Sequence, residues 1–454
     1  MLDINYVREN AEKVKEFSRN KGYKVDVDKT LALDEVRREL ENRVNALREE
    51  RNTLATAAKN ARPSEENIAR GKEIKAELAA LETELTGVEN EFIALLKQIP
   101  NAPTDDVPIG LTEDENVVAE VVGEPREFDF APKNHWQIAE ARGWIDKERA
   151  TKVTGARFAY IKSDLVRLEF AIINYVISKL TDREFIAGLI NADGLGKVGM
   201  KSDKSKTPDE SKTSEKNMQI SDKPFVPVLP PLMIKTEMYD AMDRLQPSDD
   251  RYKIEGEELW LQGSAEHVLG SMYAGEIIDE KDCPIRMLGF ASSFRKEAGS
   301  YGKDMEGIFR MHQFDKLEME SFSTPETSLQ EHYLFVAIQR ALLEGLELPY
   351  RVIQKCTFDI GKPNARGIDM EVWLPGQGKY RETHTADYMT DYQTRRLKTR
   401  IRRADGTIEL AHTNDATAFA LGRIMIALIE NGQTADNKVR LPKALAEIMG
   451  ASEI

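Results

Sequence analysis

Residues 290–320 read FASSFRKEAGSYGKDMEGIFRMHQFDKLEME, a stretch dense in side chains that bind charge. In a strand, side chains two apart share a face. Read as a strand from 308 onward, one face carries Phe309, Met311, Gln313, Leu317 and Met319, with Asp315 the exception. The other carries Arg310, His312, Phe314, Lys316, Glu318 and Glu320. The incoming strand brings Arg295 and Glu297 onto one face, opposite Phe290 and Phe294, and a glycine-bearing loop at 298–307 joins the two. A hairpin with one wet face covers most such patterns, but it leaves Phe314 exposed among charges. The same residues make a ligand platform if arginines meet phosphate, an aromatic ring stacks on a base and a carboxylate holds an amine.

A second feature lies towards the C-terminus. Residues 419–429 predict a helix apolar on every side, with Arg423 in its middle. A buried guanidinium keeps its proton and must meet an anion. On that ground alone, a carboxylate partner and a nucleotide phosphate both remain open.

The elements that must position these groups fall into two or three domains, as 454 residues allow. Hydrophobic content of 41% and charged content of 31% fit a globular protein with a long solvated helical part. No apolar run approaches a membrane span, and the N-terminus lacks a signal-peptide core, so no membrane is expected. Only Cys283 and Cys356 occur, which implies no disulfide framework and a reducing cytoplasm. The six histidines form no metal-ligand spacing with them, which argues against a structural zinc. A net charge of −14 argues against coating nucleic acid with the whole surface and leaves a local basic stripe as the means of contact.

That stripe has a place. After a short helix at 6–21, Leu33, Val36, Leu40, Val44, Leu47, Arg51, Leu54 and Ala58 recur at threes and fours. Pro63 breaks the run, and Ile68, Gly71, Ile74, Leu78, Leu81, Leu85, Val88, Phe92, Leu95 and Ile99 resume it. Two heptad helices about a tight break predict an antiparallel coiled-coil hairpin over about 31–99, each leg roughly 45 Å long. Arg37, Arg38, Arg43, Arg48, Arg51, Lys59, Arg62, Arg70, Lys72 and Lys75 lie along it, either as solvated partners of its glutamates or as a finger for a phosphate backbone.

A Pro-containing acidic linker follows at 100–127, ending in a strand at 117–122. Helices are expected at 134–144 and 163–180, and strands at 258–261, 285–294, 308–319, 356–358, 369–373 and 397–402. This is an α+β pattern with an antiparallel sheet, and it contains no glycine-rich phosphate loop. Residues 190–223 form a lysine- and serine-rich insertion, with seven lysines and no aromatic residue between 194 and 223. It reads as a flexible surface excursion.

The two halves FRKEAG (294–299) and RMHQFDKLE (310–318), at this separation, resemble the second signature motif of class II aminoacyl-tRNA synthetases, the seryl family in particular. FVPVLPP (225–231) is similar to the first motif, whose closing proline, here Pro231, lies at a homodimer interface. TNDATAFALGR (413–423) resembles the third, in which the arginine binds ATP. The hairpin is similar to the N-terminal arm with which that family grips its tRNA. The resemblance covers nearly the whole chain. It implies an N-terminal tRNA-binding domain at 1–104 and a catalytic domain at 105–454, with a central antiparallel sheet flanked by helices.

What the resemblance implies is a two-step reaction. L-serine attacks the α-phosphorus of ATP to give seryl-adenylate and pyrophosphate, and the seryl group then passes to the 3′ end of tRNA(Ser). Whether tRNA(Sec) is also charged is left open. Carried over by position, Arg295, Glu318 and Arg423 would be catalytic. Ser264, Ala265, Glu266, Arg295, Glu318 and Thr417 would bind serine. ATP would meet Arg295, Lys296, Glu297, Arg310, Met311, Phe314, Glu382, Thr383, His384, Thr385 and Arg423, and Glu382 and Thr385 would hold Mg²⁺. The chain departs from the family pattern at Ser264 (for threonine), Thr417 (for serine), Asp415 (for asparagine) and His384 (for serine). A ligase that loads a carrier protein would lack the hairpin, and a non-catalytic scaffold would have lost Arg295 or Arg423.

Overall fold

The computed structural model describes residues 1–60, 64–192, 220–297 and 307–454. Most of the insertion expected at 190–223, nearly all of the loop at 298–307 and the hairpin tip with Arg62 lie outside the described residues. Contacts divide the chain into two compact units, Met1–Ala102 and Pro103–Ile454.

The first unit is helical. The helix expected at 6–21 is two helices, Ile4–Glu9 and Ala11–Asn20, separated at Asn10. The hairpin legs run Val27–Asn60 and Glu65–Leu96, which at 1.5 Å per residue makes each about 50 Å long. Ser64 caps the second leg, its Oγ accepting from Asn67 N at 3.2 Å. Leu40, Val44, Ile74, Leu78 and Leu81 form the buried seam, with Leu47, Leu54, Leu85 and Val88 packed against it.

The heptad reading fails at the base. Val36 is exposed, and the buried position belongs to Asp34, held by Arg8 and Arg37 at 2.5 and 2.9 Å. Likewise Leu96 is buried rather than Leu95. Several basic residues serve the hairpin itself: Arg48 pairs with Glu82 at 2.7 Å and Arg70 with Glu50 at 2.8 Å, each across the two legs. Arg43, Arg51, Lys72 and Lys75 are exposed.

The second unit is built on an eight-stranded sheet in the order Val117–Val122, Tyr350–Gln354, Arg366–Leu374, Lys379–Thr390, His412–Ala420, Gln313–Ser323, Ile285–Phe294, Val226–Val228. Every pairing is antiparallel except the last, so the expected antiparallel sheet is mixed at one edge. The helices Asp164–Leu180, Ser328–Gly345 and Leu421–Gly432 join one face of the sheet in a single core with Leu317, Met319, Ile368, Met370 and Ala416. Alternation then sends Lys316, Glu318, Glu320, Asp369, Asp415 and Thr417 to the opposite face. No described helix is long and apolar enough to cross a membrane.

Several element bounds differ from expectation. The strand near 356–358 is Tyr350–Gln354, because Pro349 and the turn after Gln354 frame the β-branched run. The segment 397–402 begins as a helix end, Thr394–Leu397, and becomes a strand only at Arg400–Arg402, past a left-handed Lys398. The strand expected from 308 starts at Gln313. Phe419 and Ala420 end a strand instead of opening a helix.

Candidate active site

The strands Ile285–Phe294 and Gln313–Ser323 pair along their length, with Gly289 opposite Glu318 and Phe294 opposite Gln313. Pairing stops there, so Arg295 and Glu297 stand in the connection. Arg295 is fixed by its N–H donating to His312 O and its Nε donating to Gly263 O, both at 3.0 Å. Its guanidinium then lies 5.4 Å over the Phe314 ring, a cation–π geometry. Glu297 takes a left-handed backbone (φ 50°), and Arg157 Nη1 donates to its carbonyl at 2.7 Å. The Glu297 carboxylate accepts from Arg310 Nη1 at 3.1 Å.

The strand His412–Ala420 runs straight into the helix Leu421–Gly432, which puts Arg423 in the first turn, partly exposed, rather than buried in mid-helix. Its Nη1 donates to the carbonyl and to Oε1 of Glu382, both at 2.9 Å. Glu382 comes from the strand Lys379–Thr390. Burial pushes its carboxyl up, but the charges of Arg423 and Lys355 outweigh that and hold it below the usual range.

Between these elements opens a cavity. Arg295, Glu297, Arg310, Met311, Phe314, Glu382, Thr383, Thr385, Thr417 and Arg423, distant in sequence, all line it. The lining combines guanidinium groups with the aromatic rings of Phe309 and Phe314 and the carboxylates of Glu297 and Glu382. That is a chemistry for a polyanion carrying a flat ring.

One end of this face is acidic. Ser264 and Ala265 precede a short helix, Glu266–Leu269, that lies against the sheet because position 289 is glycine. A Cβ there would come within 2.7 Å of Leu269 Cδ1 and 3.2 Å of Ala265 Cβ. Ser264 Oγ accepts from Lys316 Nζ at 3.1 Å, and the same ammonium lies 2.6 Å from Glu318 Oε2. Thr417 Oγ1 donates to Glu318 Oε1 at 3.4 Å. Glu266 Oε1 stands 2.9 Å from Arg244 Nε and 3.3 Å from His267 Nε2.

The protonation states here are legible from the partners. Gly263 N donates to His267 Nδ1 at 3.2 Å, which leaves Nε2 to donate to Glu266. Burial pushes the His267 ring down to about 4, so it is neutral near pH 7. Burial also pushes Glu266 up, but Arg244 and His267 overcome it and hold the carboxyl well below the usual range. For Glu318 burial prevails over Lys316, and the carboxyl is raised.

Two residues expected at the nucleotide sit elsewhere. His384 lies on the core side of its strand, fully buried, with its ring edge-on to Phe419 at 5.2 Å and Nδ1 2.7 Å from Thr383 Oγ1. The period of the strand turns it away from the cavity that Thr383 and Thr385 line. Lys296 bonds through its N–H to Asp250 O, and its ammonium lies 5.6 Å over Tyr252.

Sequence reasoning passed over Arg244, which pairs with Glu266 and Asp415, and His267. Both lie in stretches without periodicity. The only signal was an arginine near acids in a polar run, DAMDRLQPSDD, which resembles any surface segment.

The family description "Seryl-tRNA synthetase N-terminal domain" matches residues 1–103, and "tRNA synthetase class II core domain (G, H, P, S and T)" matches residues 251–432. The serine–tRNA ligase of Thermodesulfovibrio yellowstonii is 35% identical over 464 residues, covering 100% of both chains. The chain belongs to the seryl-tRNA synthetase family. It is a serine–tRNA ligase built on a class II synthetase core. Among solved structures, the seryl-tRNA synthetase of Pyrococcus horikoshii complexed with ATP superposes with a TM-score of 0.84 at 34% identity. That match covers 100% of this chain and 99% of the other. The cytoplasmic serine–tRNA ligase of Naegleria fowleri in complex with AMP gives 0.80 at 27% identity, over 100% and 98% of the two chains.

Proposed function

We propose that this chain activates L-serine with ATP in the cavity between Arg295 and Arg423 and passes the seryl group to the 3′ end of tRNA(Ser). The observation that carries the reading is the convergence of Arg295, Arg310 and Arg423 on one cavity beside Phe314, whose wall at Lys316 and Thr417 is bonded to Glu318. The ATP and AMP carried by two similar structures support the nucleotide assignment.

The chemistry follows from charge and position. The serine carboxylate is a competent nucleophile already, so the step needs alignment and charge neutralisation rather than a protein nucleophile. Arg295 holds the α-phosphate and the attacking carboxylate together. Arg423 and Arg310 release Glu382 and Glu297 and take the distal phosphates. The adenine stacks on Phe314, with Glu297 and the Met311 backbone at its edge. Glu266 and Glu318 receive the α-ammonium, and Thr417 bonds the serine hydroxyl. A site that satisfies a hydroxyl rejects alanine, because its polar groups would be left unpaired. Glu382 and Thr385, both on the cavity wall, offer the hard oxygen donors that suit Mg²⁺. Once bound, the ion would neutralise phosphate charge.

The hairpin, in this reading, meets the tRNA through exposed Arg43, Arg51, Lys72 and Lys75. The 1–104 segment is then the tRNA-binding domain and 105–454 the catalytic domain. Two chains pair beside the edge strand Val226–Val228, where Val226 and Leu229 are 60% and 81% exposed. Two free cysteines suit a cytoplasmic setting. The test is pyrophosphate exchange. It should require serine and vanish in Arg295→Ala. Exchange supported equally by threonine or alanine would refute the serine assignment.

A further inference from the structure

Asp315 is an acid on a strand face otherwise given to the core. It shares that side of Gln313–Ser323 with Leu317 and Met319, and the chemistry proposed for serine and ATP does not use it. A second acid meets it there. Glu169 stands on the helix Asp164–Leu180, beside Leu165, Leu168 and Ile172 of the same core, and its carboxyl is in hydrogen-bonding contact with that of Asp315. Ionised carboxylates only accept, so two carboxyl groups bond each other only while one keeps a proton. Ser292, directly opposite Asp315 across the strand pair, donates its hydroxyl to Asp315 Oδ1. Asp315 therefore accepts from two sides, and Glu169 is the member that holds the proton. Burial, and then the charge of Asp315, push Glu169 up to about 7.

Both acids line a second cavity, directly behind the one lined by the arginines. Ile308, Met311, Phe314 and Gly422 line both cavities and so form the partition between them. Phe314 immediately precedes Asp315 in the strand. Among the described residues, no cation and no third titratable group lines the second cavity. The charged groups on the elements packed around it are engaged elsewhere. Arg423 bonds Glu382, Lys316 lies against Glu318, Arg286 bonds Glu331, and Glu430 bonds His135. Lys162 pairs with Asp146, Arg167 with Asp164, Arg183 with Asp222 and Lys443 with Glu447, while the ring of His312 meets Arg295 O. When the shared proton leaves, the second negative charge has no cation in the cavity to answer it.

We infer that Glu169 is a positioning residue for the nucleotide, its shared proton tying the helix to the strand so that Phe314 and Met311 stay in place against the adenine. This rests on the arginine-lined cavity being the ATP site. Below about pH 7 the bond is whole. As pH rises through that value, two carboxylates face each other across an apolar wall, and their repulsion moves the partition. The loss falls on ATP binding, because neither acid reaches the reacting atoms. KM for ATP rises and kcat does not fall with it.

The experiment is pyrophosphate exchange at saturating serine with ATP varied, from pH 6 to 8.5, on the full chain, Glu169→Gln and Phe314→Ala. The amide of Glu169→Gln donates to Asp315 at every pH, so this variant should keep the low-pH KM throughout. The parent's KM should rise about fivefold relative to it as pH passes 7, the worth of roughly one hydrogen bond, with kcat within about twofold. A phosphate of ATP titrates nearby, and the ratio between the two proteins removes that contribution. Should Glu169→Gln fold poorly, Asp315→Asn removes the repulsion from the other side and makes the same comparison. A ratio independent of pH, with KM still raised by Phe314→Ala, would overturn the inference and leave the ATP site standing. KM unmoved by Phe314→Ala would overturn both.

Discussion

Arg423→Ala separates the nucleotide role of this arginine from its place in the fold. Its ion pair with Glu382 joins a side chain 24% exposed to one 51% exposed, so it contributes at most about 1 kcal/mol to stability. The variant should fold, with Tm lowered by a few degrees at most. Catalysis should suffer far more. In the proposed role, this guanidinium in the first turn of a helix would face a phosphate with charge-assisted hydrogen bonds and the helix dipole behind it. Losing that contact costs about 3 kcal/mol, or roughly 150-fold in kcat/KM for ATP. Arg423→Lys keeps the charge without the fork and should recover about tenfold of the loss. The assay is pyrophosphate exchange at saturating serine with ATP varied, on protein whose Tm has been checked. A folded Arg423→Ala whose kcat/KM for ATP stays within about threefold of the parent would refute the phosphate assignment.

Replacing residues 31–99 with a short linker should spare adenylate formation and lower charging of tRNA by about 100-fold or more, as expected when several phosphate contacts are lost; unchanged charging would refute the hairpin's role. Glu320, with its carboxyl raised in the fold, keeps a proton that the unfolded chain releases above about pH 4. Stability therefore falls as pH rises through that window, by up to about 1.4 kcal/mol per unit, and Glu320→Gln should gain on the parent in urea unfolding between pH 5 and 8. A stability difference independent of pH would contradict the buried, strained carboxyl. Arg286 and Glu331 are both fully buried and bonded at 2.7 Å through two pairs of atoms, so Arg286→Met should cost about 3–5 kcal/mol. The double variant with Glu331→Leu should recover most of it, and a double no better than the single would mean that the bonds of Arg286 to Ser221 and Lys223 carry the effect.

What could be read in advance depended on how simple the local periodicity was. The alternation of Lys316, Glu318 and Glu320 against Leu317 and Met319 was legible because one face of that strand is apolar and the other is not. The hairpin was legible for the same reason, with heptads broken once by Pro63. Its base was not, because there an acid, Asp34, takes an apolar position and is satisfied by Arg8, 26 residues away. The strand Lys379–Thr390 escaped notice because its sequence, KYRETHTADYMT, is polar on the face that meets the cavity. Phe419 and Ala420 were assigned to a helix because a short apolar run fits strand and helix equally well. That error moved Arg423 from the helix start to its middle, and so from the rim of the cavity to an imagined interior. Side-chain direction set the remaining limit. His384 sits in the right segment and faces the wrong way.

The most direct test of the central claim is charging of purified tRNA(Ser) by the intact chain, with each of the twenty standard amino acids supplied in turn with ATP. Stable, ATP-dependent acylation with serine alone is the expected result. Efficient acylation with a different amino acid, or none with serine by folded protein, would contradict it.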